Sequence, residues 1–503
     1  MPTLPDSSPV FSMVGNPSRA PGSGPRRPDS SPAGAVRTLG LSISTILSSS
    51  CGVPRYSRSQ NDREETNAMT IYERTRPRPQ RRVVVTGMGA ISSLGPSADA
   101  LWDRLLAGES GIRTADNLDP AIINCTVRGD VDDETVPNRF LDGKSLRNTS
   151  RFARLAVEAA GEALIDAGLL DCQTYEATTS LAPAGAVIGT CGAGVHDDFL
   201  DAWESYKTRG VRGVPIHLHV SFPHNLAGYG IQSRFGMGGP SLTLTTACAT
   251  GAQAIGEAFE EVRDGNAPIM IGGATESTQH PMYAAGFAVM RALVSDSNDD
   301  PSAASRPFDA SRAGFVLGEG AAMLILEDLE HALNRGARIY AEVLGFGTSN
   351  DAYHPIAPLP DGAGGARAMH TALDDAGVSA GDIDHINAHA ASTPAGDLAE
   401  SAAIRLVYGE RAASIPVTSM KGALGHCMGA SGALETITAV RTISDQVIPP
   451  TLNYQTPDEA IGLDVVHGAP RPADIDIIAK HAFGLGGQNA CLILARYDGS
   501  RES

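Results

Sequence analysis

The 503-residue chain is short of positive charge: 39 Lys and Arg stand against 57 Asp and Glu, a formal net charge of −18. A general nucleic-acid binder needs clustered basic residues for phosphate contacts, so that class is set aside. No run of about 18 apolar residues occurs, so no membrane span is expected. Cysteines number only seven, scattered and without a C-x-x-C pair, which argues against a disulfide scaffold or a structural zinc site. A reducing compartment, the cytoplasm, fits that usage. Glycine is plentiful at 55 but has no three-residue period, which excludes collagen. What is present is 42% hydrophobic residues, enough for a large core, in a length that allows about three units.

Charge is divided unevenly. Residues 1–82 carry twelve Arg, no Lys and six acids, which leaves −24 on the rest. Residues 1–81 are rich in Pro, Ser, Gly and Arg and cannot bury enough apolar surface to offset their ordering entropy, so they are expected to be a disordered extension. One apolar stretch, 39–47, could form a transient helix. The composition fits an organelle transit leader. It fits better an over-extended start, with Met69 as the true first residue.

Order is expected from Arg82. Val83, Val84 and Val85 read as a buried strand running into a turn at Thr86-Gly87. A helix is expected to start at Trp102, a second spans 151–168 with Phe152, Leu155, Ala156, Ala159, Ala163 and Leu164 on its apolar face, and 185–189 (GAVIG) is another buried strand. Strand, glycine turn and helix recur, the pattern of an α/β protein. Two blocks mirror each other: a strand at 242–247 before Cys248, and a strand at 385–388 before His389 with a helix starting at Gly396. The expected organisation is therefore two related halves, 82–335 and 336–498.

Cys248 lies in LTTACATG, between a β-branched strand and a helix whose Ala252, Ile255, Phe259 and Val262 share one face. At a helix N-terminus the unpaired N–H groups and the dipole lower a thiol pKa, which suits a nucleophile; a buried structural cysteine fits the same position. His389 ends an apolar strand. Lys421 and His426 share the glycine-rich segment SMKGALGH. A lone loop histidine is more often surface or core than catalytic, but three strand-end turns each offer a Cys or a His. The fourth piece, FGLGGQN (483–489), has no phosphate-loop spacing and reads alone as a glycine-rich hairpin.

Taken together, these pieces resemble the β-ketoacyl synthases, in particular the elongating type that acts on acyl-carrier-protein thioesters. The matching motifs are VVVTGMG (83–89), TACATG (246–251), RPFD (306–309) with GFVLGEGA (314–321), the segment 387–397 beginning NAH, the segment 419–432 containing KGALGH, and 483–489. The resemblance implies a thiolase-like five-layer αβαβα fold built of two similar halves. It implies a homodimer that takes acyl-carrier and malonyl-carrier thioesters. The chemistry needs no cofactor or metal; the family makes a structural cation near Asn387 and Glu435 conceivable, but no ligand spacing in the sequence argues for it, and no nucleic-acid or membrane partner is expected. Cys248 would accept the acyl chain, His389 and His426 would complete a Cys-His-His triad, and Lys421 would tune it. Glu400 matches a family acid near Lys421. Leu485 takes the family's gating position, and its N–H would pair with that of Cys248 as an oxyanion hole.

The chemistry suits those residue types. Acyl transfer needs a soft nucleophile with a depressed pKa. Two N–H donors stabilise the tetrahedral oxyanion, each contributing about 3 kcal/mol in comparable sites. Loss of CO2 from a malonyl thioester leaves an enolate oxygen that two neutral imidazoles can hydrogen-bond, and a nearby Lys keeps those imidazoles uncharged.

The chain departs from the pattern at several places. Ala390 and Ala391 stand for Gly-Thr, Ile356 for a hydroxyl residue, Leu485 for Phe and Gln488 for Thr. Thr393 would then carry more of the contact to the pantetheine arm, with Phe483 beside it. Gly192 falls where many members have a bulky gate, which implies an acyl pocket that accepts longer chains than usual. Lys144, Arg147 and Arg291 match positions that dock the acidic carrier, and would otherwise be ordinary surface charge. The other readings are a polyketide ketosynthase and a non-catalytic chain-length partner. Such a partner usually has Gln in place of the nucleophile, and Cys248 is present. A degradative thiolase wants a second cysteine in the C-terminal glycine loop, and an initiating synthase has Asn where His426 stands.

Overall fold

A computed structural model describes residues 80–295 and 298–499. The leader, the helix at 39–47 and the start at Met69 fall outside the described residues. The fold is α/β, organised on an eleven-stranded sheet. Its strands are β1 (Val83–Ser92), β2 (Gly185–Gly189), β3 (Ser241–Leu244), β4 (Ile269–Glu276), β5 (Gly320–Asp328), β6 (Ala341–Asn350), β7 (His385–Asn387), β8 (Pro416–Thr418), β9 (Asp464–Val465), β10 (Ile477–Gly484) and β11 (Gln488–Ala495). The order across the sheet is β9-β8-β7-β10-β11-β6-β1-β5-β4-β2-β3.

The sheet repeats itself. In β1–β5 the second strand is parallel to the third and fourth, and the fourth is antiparallel to the fifth, which is antiparallel to the first. Strands β6, β7, β8, β10 and β11 follow the same order and senses. The two first strands, β1 and β6, join the sets antiparallel at Val83–Val343.

Seven helices matter for the site: α1 (Ala98–Leu106), α2 (Arg151–Asp166), α3 (Thr250–Arg263), α4 (Pro281–Val289), α5 (Ala363–Ala376), α6 (Pro394–Tyr408) and α7 (Ser431–Asp445). Helices α3 and α7 pack between the two sets of strands, in a core that holds Ile255, Phe259, Val262, Leu434 and Ile437 with Leu324, Leu492 and Val343. One outer core joins α2 to the far face of the first set, and another joins α5 and α6 to the far face of the second. Apart from the exposed edge strand β3, the long strands of both sets are therefore buried on two faces, which explains their near-continuous apolar sequences.

Local differences from the sequence reading have physical causes. Thr86-Gly87 is a bulge, not a turn, and β1 runs on to Ser92. Any side chain at Gly87 would meet the Ala163 carbonyl oxygen at 2.3 Å, so glycine lets α2 lie against the strand. Helix α1 starts at Ala98, ahead of Trp102, because the Ser97 side chain caps it by accepting from the Ala100 N–H. Helix α6 starts at Pro394, with Thr393 as its cap.

Candidate active site

Strand β3 ends at Leu244 and α3 begins at Thr250, so the chain reverses within five residues. Ala247 takes a left-handed φ of 49°, unusual for a residue with a Cβ. The Thr250 hydroxyl holds that turn. It donates to the Ala247 carbonyl at 2.6 Å and accepts from the Thr246 N–H at 2.8 Å. The turn sets Cys248 against the tip of the β10–β11 hairpin. A Cβ at Gly484 would lie 2.9 Å from both the Cys248 nitrogen and the Thr246 oxygen, so only glycine permits this approach.

The sulfur is buried, and burial outweighs everything else, pushing its pKa up to about 11. The Leu485 N–H, the Lys421 charge and the N–H of Cys248 itself act in the opposite direction. This corrects the depressed pKa expected from the helix N-terminus: the dry pocket penalises the thiolate more than the dipole favours it. The N–H groups of Leu485 and of Cys248 itself both bear on the sulfur.

Two imidazoles share a cavity of about 420 Å³ with Cys248. His389 follows β7, and His426 lies between Leu424 and α7; their rings are 5.4 Å apart and nearly perpendicular, at 79°. Burial, then Lys421, holds both pKa values well below the ordinary histidine value, so both rings are neutral. The His426 Nδ1 pairs with the Ser431 hydroxyl at 2.8 Å. When that hydroxyl donates, the proton of the neutral ring sits on Nε2.

Lys421 is buried behind the histidines, where its ammonium donates to the His389 carbonyl and pairs with Glu435. The other oxygen of Glu435 meets Lys480 at 2.7 Å. Two ammonium groups thus flank one carboxylate. The pair offsets the cost of burying the carboxylate. Glu400 is not the acid beside Lys421; Glu435 is. Glu400 accepts from the N–H of His389 at 2.8 Å and of Ala390 at 2.6 Å, and pairs with His481 Nδ1 at 3.2 Å. Burial pushes its pKa up, but these partners hold it below the ordinary value. Its position explains the difference: the first turns of α6 face the backbone after β7.

Leu485, Thr393, Phe483, Glu400 and Arg291 line the same cavity, as does Ile356. Phe483 lies 6.1 Å, ring to ring, from His389. Thr393 spends its hydroxyl on the N-terminus of α6, accepting from the Gly396 N–H at 3.2 Å. Lys144 and Arg147 are exposed on the short helix Gly143–Asn148 and do not line the cavity; Arg291 is exposed at its rim. Gly192 is not among the lining residues either. A Cβ there would meet the Tyr283 ring at 2.7 Å, so an unusually open gate at this position is corrected: Tyr283 fills the space.

Sequence reasoning missed Lys480, Glu276 and Tyr283. Lys480 and Glu276 are charged residues in largely apolar strands, IIAKHAFG and IMIGGATE, and that mismatch was the available signal. The Glu276 carboxylate accepts from the N–H groups of Gly192, Cys191 and Gly429 at 2.8, 2.9 and 3.1 Å, and burial raises its pKa to about 7.

The chain matches the family description "Beta-ketoacyl synthase, N-terminal domain" over residues 80–332 and "Beta-ketoacyl synthase, C-terminal domain" over 340–455. It is 40% identical over 418 residues to a 3-oxoacyl-[acyl-carrier-protein] synthase 2 of Coxiella burnetii, covering 83% of this chain and 99% of that one. A protein of the same name from Rhizobium meliloti is 41% identical over 425 residues, with 83% and 100% covered. Among solved structures, a Beta-ketoacyl synthase from Burkholderia phymatum superposes with a TM-score of 0.76 at 33% identity, and the ishigamide ketosynthase/chain length factor with 0.75 at 37%; each covers 83% of this chain and all of the other. The five-layer arrangement is accordingly the thiolase-like ketosynthase fold, and the chain belongs to the beta-ketoacyl synthase family.

Proposed function

We propose that the protein condenses malonyl-carrier with an acyl chain held on Cys248, releasing CO2 and giving 3-oxoacyl-carrier protein, as in fatty-acid elongation. The observation that carries this reading is the shared cavity of Cys248, His389 and His426, with both imidazoles neutral. Its support is the 3-oxoacyl-[acyl-carrier-protein] synthase 2 naming of the relatives.

In the first half-reaction the Cys248 sulfur attacks the carbonyl of the incoming acyl thioester. The thiol proton moves to a neutral imidazole and then to the departing pantetheine thiolate. The oxyanion formed in between lies against the Leu485 and Cys248 N–H groups. In the second, the malonyl carboxylate leaves as CO2, and its electron pair is carried on the thioester oxygen as an enolate. Imidazole N–H groups of His389 and His426 donate to that oxygen. The enolate carbon then attacks the acyl-Cys248 carbonyl, forms the new C–C bond and expels the Cys248 thiolate, which takes a proton from solvent.

Thr393 and Phe483 lie where the pantetheine arm would pass, and Arg291, Lys144 and Arg147 present positive charge to an acidic carrier. A homodimer would form through β3. That strand ends the sheet, and Leu242 on it is 40% exposed. The work would be divided between residues 82–335, which supply the sulfur, and 336–498, which supply the imidazoles. The six described cysteines are free, in keeping with a reducing cytoplasm. Among the described residues no helix is long and apolar enough to cross a membrane.

The test is mass spectrometry of carrier-bound products from malonyl-carrier plus acyl-carrier. Formation of 3-oxoacyl-carrier supports the reading, and release of free acid instead overturns it. A polyketide ketosynthase is the second reading, favoured by the likeness to the ishigamide ketosynthase. Repeated unreduced extension of one chain would mark it.

A further inference from the structure

The cavity that holds the histidines opens from Cys248 toward Arg291, Ile356 and Phe483, and its lining includes neither Gly192 nor Tyr283. A thioester arm entering by that route fills it, so the acyl chain left on the sulfur has to extend the other way. On that side stands Tyr283, the third residue of α4, packed in one cluster with Cys248, Phe287, Phe315 and Met428. Its ring edge takes the place of a side chain at Gly192, where a Cβ would come within 2.7 Å. The His196 ring lies 4.4 Å from it and the Phe287 ring 5.9 Å. The Glu276 carboxylate stands beside it, since its Oε1 would be the next atom met by a Gly192 side chain, at 3.2 Å. Glycine at 192 and tyrosine at 283 are thus one small–large pair. The bulk that the chain omits at one position it supplies from the opposite wall.

We propose that Tyr283 is the specificity-determining end wall of the acyl subsite, so that the enzyme loads short acyl chains onto Cys248 and rejects long ones. The ring rather than the hydroxyl does this, by occupying volume. The proposal deepens the condensing reading above and rests on it.

The full chain is incubated with a ladder of acyl-carrier proteins from butyryl to hexadecanoyl, and the Cys248 adduct is followed by intact mass. Pockets discriminate by about tenfold or more per misfitting group. Wild type should therefore load butyryl at least about tenfold faster than hexadecanoyl. Tyr283→Ala should bring that ratio close to one, and Tyr283→Phe should leave it in place. Tyr283→Leu provides an intermediate opening if the alanine variant unfolds, and should lower the ratio part of the way. Equal loading of both chains by wild type overturns the proposal, as does a ratio that neither Tyr283→Ala nor Tyr283→Leu moves. Failure of every chain length to label Cys248 overturns the condensing reading itself, and with it this proposal. Loading that is chain-blind but productive overturns only the assignment of Tyr283.

Discussion

The same crossing occurs twice in this molecule, and the two copies do opposite chemical work. In each strand set the third strand leads into a central helix, β3 into α3 and β8 into α7. The first crossing takes five residues and delivers Cys248 directly before its helix. The second takes twelve, with a short helix Lys421–Leu424 and the turn Met428–Ala430 inserted, and delivers Lys421 and His426. Their electrostatics also differ. The first buries a neutral thiol with no ion partner; the second buries the ion cluster of Lys421, Glu435 and Lys480. A repeated scaffold thus sets Cys248 and His426 on one cavity, each on the loop before its helix.

The comparison breaks most visibly at the nucleophile. Cys248→Ala should lower condensation by at least about a thousandfold and abolish the acyl adduct, because no other group replaces the covalent step. Kinetics of product formation together with intact mass would check both.

Next comes the ion cluster. Lys421→Ala leaves Glu435 with Lys480 alone and should destabilise the fold by about 1.5–3 kcal/mol through the lost charged hydrogen bonds, measured by denaturant unfolding. Its pH consequence has a definite sign. Lys421 contributes, after burial, to holding the His389 and His426 pKa values down. Removing it raises both, so imidazolium forms at higher pH and the acid limb of the decarboxylation profile moves toward neutrality.

A smaller effect is expected at the contact that presses the hairpin on the first crossing. Gly484→Ala places a Cβ 2.9 Å from the Cys248 nitrogen. It should cost about 1–3 kcal/mol by overpacking and slow acyl loading more than malonyl decarboxylation, measured as separate half-reactions.

The gentlest probe leaves the protein unchanged. With the Cys248 pKa near 11, the thiolate fraction and the rate of iodoacetamide labelling should rise about tenfold per pH unit through the neutral range. A plateau beginning below neutrality would show that the helix dipole wins over burial.

How much of this was legible in the sequence follows from the kind of interaction involved. Apolar periodicity placed α2 within two residues of its observed end, and the GAVIG strand was found with its observed bounds, because burial on one or both faces writes itself into the chain. Glycine turns marked where Cys248, His389 and His426 stand. Pairings between distant elements left no such trace. Glu400 lies within a helical turn of Asp397, in a stretch that the family pattern sets near Lys421, yet that lysine's partner is Glu435 on α7. The thiol pKa depended on total burial, which local sequence does not report. Gly192 looked like an open gate until its complement, Tyr283, appeared from 91 residues further along.

The most direct test of a divided scaffold is to measure the two half-reactions in His426→Ala and Cys248→Ala side by side. The division predicts that His426→Ala still forms the Cys248 acyl adduct while malonyl decarboxylation falls by at least about a hundredfold, and that Cys248→Ala still decarboxylates but forms no adduct. Decarboxylation at the wild-type rate in His426→Ala, or an acyl adduct on another residue in Cys248→Ala, would contradict it.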